Sequence, residues 1–153
     1  MKKRSRGREL ALQVLYQLDL RGEEVLGASE EFLRGEEPDR EARAFAKRLI
    51  EGTHEHVGEL NRVIQSVAQN WEIARMAVID RNVLRLATYE LLHCKDVPPK
   101  VAINEAIELG KRYSTEKSGA FINGILDKIK SRFAEAPGAP AAEASDGGAA
   151  PGA

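Results

Sequence analysis

The residue types in this chain that could do chemistry are few. His54, His56, His93 and Cys94 are potential metal ligands, and Glu105 and Glu108 are a carboxylate pair of the kind used in acid–base work. Spacing argues against both uses. On a helix, His54 and His56 point about 200° apart, so they cannot share an ion as i,i+4 histidines do. His93 has only Cys94 beside it and no spaced partner, which favours a structural role. Glu105 and Glu108 are expected to be helix-surface acids pairing with Lys111 and Arg112. No Gly-rich phosphate loop, Walker-type loop or nucleophile elbow is present. Neither catalysis nor a metal or other cofactor is expected.

The other chemistry is charge. Lys2, Lys3, Arg4, Arg6 and Arg8 precede the first acid, Glu9, in a chain whose formal net charge is −1. Clustered cations at one edge can neutralise several phosphates, the usual basis of nucleic-acid affinity. The Trp, Phe or Leu needed for membrane insertion are missing from this arm. A second cationic stretch, "KRYSTEKSGAFINGILDKI", places Lys111, Arg112 and Lys117 around a Ser/Thr/Gly-rich loop. Phe121 follows at the margin of an apolar stripe, either as a core-edge aromatic or as a platform for an unpaired base. Tyr16 is equally divided between an apolar and a glutamine-rich face.

These residues must be positioned by helices. The 153 residues, 42% hydrophobic and 31% charged, suit one domain with a substantial core. A single cysteine excludes an internal disulfide and fits a reducing cytosol. No apolar run approaches a membrane span, and the basic start leads into an amphipathic segment instead of a signal peptide's apolar block, so a cytoplasmic protein is expected.

Leu10, Ala11, Val14, Leu15 and Leu18 form one stripe at helical spacing. Continued backwards, that stripe reaches Arg8 and Arg4. Because unpaired guanidinium groups cannot be buried, those turns are expected to overhang the core or to stay frayed until an anion arrives. Further stripes run through Ala42, Phe45, Leu49 and Thr53 after Pro38, through Val57, Leu60, Ile64 and Val67, and through Ile122, Ile125, Leu126 and Ile129. "IDRNVLRLATYELLHC" reads as a central buried helix with Asp80 as N-cap, and Pro98 and Pro99 start another. No strand alternation is present. An all-α fold of six or seven helices follows, over about residues 1–133. Residues 134–153, an Ala/Gly/Pro-rich tail with nothing to bury, are expected to be disordered.

The segments "VLRLATYEL", "DVPPKVAINEAIELGK" and "FINGILDK", with "KRSRGRELALQVLYQLDL" at the start, resemble the bacterial transcription antitermination factor NusB family. The resemblance implies about seven helices in two packed three-helix bundles. It also implies binding of boxA RNA in nascent ribosomal RNA operon transcripts, as a heterodimer with NusE, a small-subunit ribosomal protein, within the RNA polymerase antitermination complex. Matched position by position, Lys2, Lys3, Arg4, Arg6 and Arg8 are the basic RNA-binding start. Lys117 and Phe121 lie along the RNA, and Tyr16 and Asp80 lie near the partner surface. Ser5 and Gly7 interrupt the arm where a denser arginine run is typical of the family, which leaves open how much of it is helical before RNA binds. The free protein could close a homodimer on the same surfaces. Other readings are a NusB-like RNA-binding domain of the kind that precedes some RNA methyltransferases, which would need a Rossmann-type domain, and a purely structural helical adaptor.

Overall fold

The computed structural model describes residues 2–134, so beyond Ala134 the tail expected to be disordered lies outside the described residues. Seven α-helices follow one another: α1 (Lys3–Arg21), α2 (Leu26–Glu36), α3 (Arg40–Glu55), α4 (Val57–Val67), α5 (Val78–His93), α6 (Pro99–Tyr113) and α7 (Ser118–Ile129). Short 3-10 turns occupy Glu23–Val25 and Ile73–Arg75, a π-helical turn closes Lys130–Ala134, and there is no strand among the described residues.

Local chemistry sets the helix ends. The α3 helix is capped by Asp39, whose carboxylate accepts from the Ala42 amide at 2.9 Å, so Pro38 stands just outside the helix it was expected to open. Pro99 occupies the first turn of α6, where its missing N–H costs nothing. At α5 the expectation is corrected. The helix starts at Val78 with Ala77 at the N-cap, and Asp80 lies in the first turn. There its charge faces the helix's positive end without capping an amide.

Helices α1–α3 form one bundle and α5–α7 the other, with α4 laid against α5 and α7. The central helix is α5, which touches α1, α3, α4, α6 and α7. Its buried residues join both bundles into one contiguous apolar core. The stripes at Leu10–Leu18, Ala42–Thr53, Leu60–Val67 and Ile122–Ile129 are all turned inwards.

The first turns of α1 answer one open question and overturn one expectation. The helix runs unbroken through Ser5 and Gly7. A Cβ on Gly7 would lie 3.0 Å from the Ala42 carbonyl oxygen and 3.3 Å from the Ala46 nitrogen. The glycine is where α1 crosses α3 backbone to backbone, so its place in the basic run answers a packing need. Arg8 neither overhangs nor frays, because it is 3% exposed and paired. Its Nε and Nη2 donate to the Glu90 carboxylate at 2.8–3.1 Å, and Nη1 reaches Glu105 at 3.3 Å. Burial pushes the Glu90 carboxyl up while the guanidinium of Arg8 opposes the shift.

Removing one partner strands a buried charge. Arg8→Ala should therefore cost about 3–5 kcal/mol in chemical denaturation, whereas Arg8→Met combined with Glu90→Leu should recover most of that stability. An Arg8→Ala protein as stable as the parent would show that the pair is not held as described.

Candidate nucleic-acid interface

With Arg8 withdrawn into the interior, the cationic edge consists of Lys2, Lys3, Arg4 and Arg6. The last of these is already engaged. Arg6 is half-buried, and its guanidinium donates to Glu37 at 3.1 Å, Glu9 at 3.2 Å and the Glu36 carbonyl at 3.3 Å, tying α1 to the α2–α3 junction. Lys3 bonds Glu41 at 2.6 Å and lies 3.6 Å from Asp39. Arg4 donates to Asp96 at 2.8 Å, and Arg48 grips the same carboxylate with two bonds of 2.6 and 3.0 Å. Hydrogen bonds from Arg48 and Arg4 hold the Asp96 carboxyl well below the usual range.

The guanidinium groups of Arg4, Arg8 and Arg48 also gather round Phe45, 4.5, 5.1 and 5.7 Å from the ring centre. A groove lined by Arg4, Ser5, Phe45, Arg48, Pro98 and Val101 runs along this edge. The pairs of Lys3 and Arg4 are largely in solvent, where an ion pair is worth only about 0–1 kcal/mol.

The second cluster stands apart. Lys117 is exposed at the N-cap of α7, and Phe121 follows one turn later. Phe121 is half-buried and meets the Trp71 ring edge-on, with centroids 5.5 Å apart. Trp71 itself is 58% exposed. It belongs to the irregular segment after α4, so helical periodicity gave it no role; only the fold sets it beside Phe121. The arm lines the N-terminal part of α6 and Lys117 follows its C-terminal end, so the clusters are separated by a helix roughly 22 Å long. A ligand touching both must be extended.

Tyr16 lines a different groove, of about 440 Å³, with Gln13, Phe32, Ile79 and Tyr113 between α1 and α2. Asp80 is next to Ile79 at the start of α5 and leaves Oδ1 buried without a hydrogen-bond partner. The cations near it are committed elsewhere. Arg81 and Arg85 both bind Asp19 on α1, at 2.8 and 3.2 Å, and Asn82 donates to the same carboxylate at 2.8 Å.

The expected partners of the α6 acids and bases also change. Glu105 turns to Arg8, and Arg112 pairs with Glu9, which accepts from Tyr113 as well. Burial alone would push the Glu9 carboxyl up, but hydrogen bonds from Tyr113, Arg6 and Arg112 outweigh it and hold the group low. Among the metal-type residues, burial pushes the Cys94 thiol up to about 11, which keeps it protonated and unreactive. His93 does have partners. The fold brings it to His56 and Glu59, which spacing alone could not reveal.

These features define a small helical protein of two fused bundles with a cationic edge set in weak, replaceable ion pairs. The pattern of the NusB family matches residues 5–131. The chain is 51% identical over 130 residues to the transcription antitermination protein NusB of Anaeromyxobacter dehalogenans (strain 2CP-1 / ATCC BAA-258), covering 84% of this chain and 91% of that protein. It is 45% identical over 133 residues to the protein of that name from Syntrophus aciditrophicus (strain SB), covering 87% and 83%. Among solved structures, NusB of T. maritima superposes with a TM-score of 0.79 at 44% identity, covering 86% of this chain and 92% of that one. A chain from the crystal structure of antitermination factors NusB and NusE in complex with dsRNA gives 0.78 at 31%, covering 87% and 99%. The chain belongs to the NusB family.

Asp96→Asn should release Arg4 and Arg48 from their shared acid. Stability should fall by no more than about 1 kcal/mol, since the group is exposed. Elution from a heparin column should move to higher salt. Earlier elution would mean that Asp96 orients the two arginines for binding instead of competing for them.

Proposed function

We propose that this protein is a non-enzymatic transcription antitermination factor. It binds boxA RNA of nascent ribosomal RNA operon transcripts as a heterodimer with NusE, within the RNA polymerase antitermination complex, and works in the cytoplasm. The observation that carries this reading is the exposed edge at Lys2, Lys3 and Arg4, where the carboxylates paired with Lys3 and Arg4 lie in solvent and can give way to phosphate. Family membership supports it, as does the likeness to a chain crystallised with antitermination factors and RNA.

In this reading Lys2, Lys3 and Arg4 meet phosphates first, with Arg6 contributing as Glu37 yields. Arg8 holds the arm in place and makes no RNA contact. Lys117 adds a further phosphate contact, and Phe121 with Trp71 offers stacking surface to an unpaired base at the far end of α6. Tyr16 and Asp80 mark the side where NusE docks, with the groove between α1 and α2 supplying apolar area.

Salt dependence separates these roles. Replacing Lys2, Lys3 and Arg4 by Ala, with Arg6 kept because it ties α1 to the α2–α3 junction, should leave the fold intact and weaken boxA binding most at low salt. The slope of log affinity against log salt should fall by roughly 0.7 for each phosphate of single-stranded RNA that is no longer neutralised. Phe121→Ala and Trp71→Ala should each cost about 1–3 kcal/mol with little change of slope, and should have less effect on fully duplexed RNA. Unchanged affinity and slope in the triple variant would remove the arm from the interface.

The partner surface has its own test. Asp80→Lys should weaken binding to NusE by about 1–3 kcal/mol while costing no more than about 1 kcal/mol of stability, since Asp80 caps no amide. Wild-type affinity for NusE in that variant would place the interface elsewhere.

A further inference from the structure

His56 is the single residue between α3 and α4, Glu59 lies in the first turn of α4, and His93 is the last residue of α5. One ligand atom from each lies within 4.8 Å of the others. The two imidazole rings are 4.2 Å apart, and His93 Nε2 is 2.8 Å from Glu59 Oε1. We propose that His56, Glu59 and His93 form a binding site for a late first-row divalent cation, of which zinc is the best match.

The donor set fits. Two imidazoles and one carboxylate suit zinc, and a partly exposed site leaves a fourth position for water. Ligand bonds of about 2.0–2.2 Å put neighbouring donors about 3.3 Å apart in a tetrahedron. Glu59 Oε1 and His93 Nε2, now hydrogen-bonded at 2.8 Å, need to part by only about 0.5 Å to reach that spacing. His56 is prepared for the role, because its Nδ1 lies 2.8 Å from the Gly52 carbonyl. Donating there fixes the tautomer and leaves Nε2 with the lone pair, the arrangement that orients metal-bound histidines. When the ion enters, the neutral His93 ring carries its proton on Nδ1 and gives Nε2 to the metal.

The walls are built as well. Tyr89 stacks on His93 with centroids 5.4 Å apart and lies 5.7 Å from His56. A Cβ at Gly52 would collide with the Tyr89 ring, so the glycine is what lets Tyr89 pack there. The neighbouring His54 faces elsewhere and bonds Glu23 at 3.2 Å. Bound at this corner, an ion would pin the α3–α4 junction to the end of α5.

The test uses tag-free, chelator-stripped full-length protein and zinc chloride alone. Calorimetry should show saturable one-to-one binding. The melting temperature should rise by roughly 5–10 °C at a zinc concentration about a hundredfold above Kd. Cobalt(II) in place of zinc should give the visible absorption of a four-coordinate site. His56→Ala and His93→Ala should abolish all three signals, Glu59→Gln should weaken binding, and His54→Ala should leave it unchanged. His93→Gln, which keeps a polar group at this half-exposed position, guards against loss of folding. Absence of saturable binding, or equal loss in the His54 and His93 variants, would overturn the proposal.

Discussion

The buried pair of Arg8 and Glu90 is the constraint on which the rest of this structure depends. A guanidinium and a carboxylate, each almost fully enclosed, are tolerated in the core only because they face one another through several hydrogen bonds. Such a pair adds little net stability compared with apolar residues of the same size, but it tolerates no other register. It fixes the second turn of α1 against α5. The flanking residues extend the effect: Arg6 reaches the α2–α3 junction, and Glu9 reaches Arg112 and Tyr113 at the end of α6. Three residues in four, each tied to a different element, set the rotation of α1 about its axis. Lys2, Lys3 and Arg4 are left at the projecting end.

That geometry explains why the cationic edge can be both ordered and available. Arg8 is held chiefly by Glu90, a carboxylate that water does not reach, whereas Lys3 and Arg4 are held by carboxylates that water does. Exposed pairs cost little to break, and a polyphosphate chain offers the cations an equivalent partner with the added gain of released counterions. Asp39, Glu41 and Asp96 therefore keep the arm folded without blocking it.

Most of the fold was legible in the sequence because helical stripes are local. Leu10 to Leu18, Phe45 and Leu49, and Ile122 to Ile129 sit where their spacing puts them. What the sequence could not reveal is pairing across distance. The stripe running from Leu15 back to Arg8 was readable, but not that Glu90 would stand opposite, so burial of a charge looked impossible. Gly7 read as a break in a basic run, because nothing local reports the carbonyl of Ala42 above it. Asp80 carried a cap signal, but the helix starts before it, at Val78, and leaves Asp80 in the first turn. Trp71 and the His56–Glu59–His93 cluster belong to the same class, since their partners come from other helices.

The turn between α5 and α6 gathers several of these long-range contacts into one short piece of chain. His93 ends α5 against Glu59, and Cys94 is buried as an inert filler. Asp96 bonds Arg4 and Arg48, and Val97 closes into the core before Pro98 and Pro99 start α6. Arg48 holds the Asp96 carboxylate through both oxygens, whatever partner Arg4 has. The turn is thus held from the α3 side independently of Arg4. Because α3 also bears Phe45, against which Arg4 stacks, the guanidinium can change its charged partner without losing its aromatic one. A planar, delocalised cation suits such an exchange better than an ammonium, which would depend on the carboxylate alone.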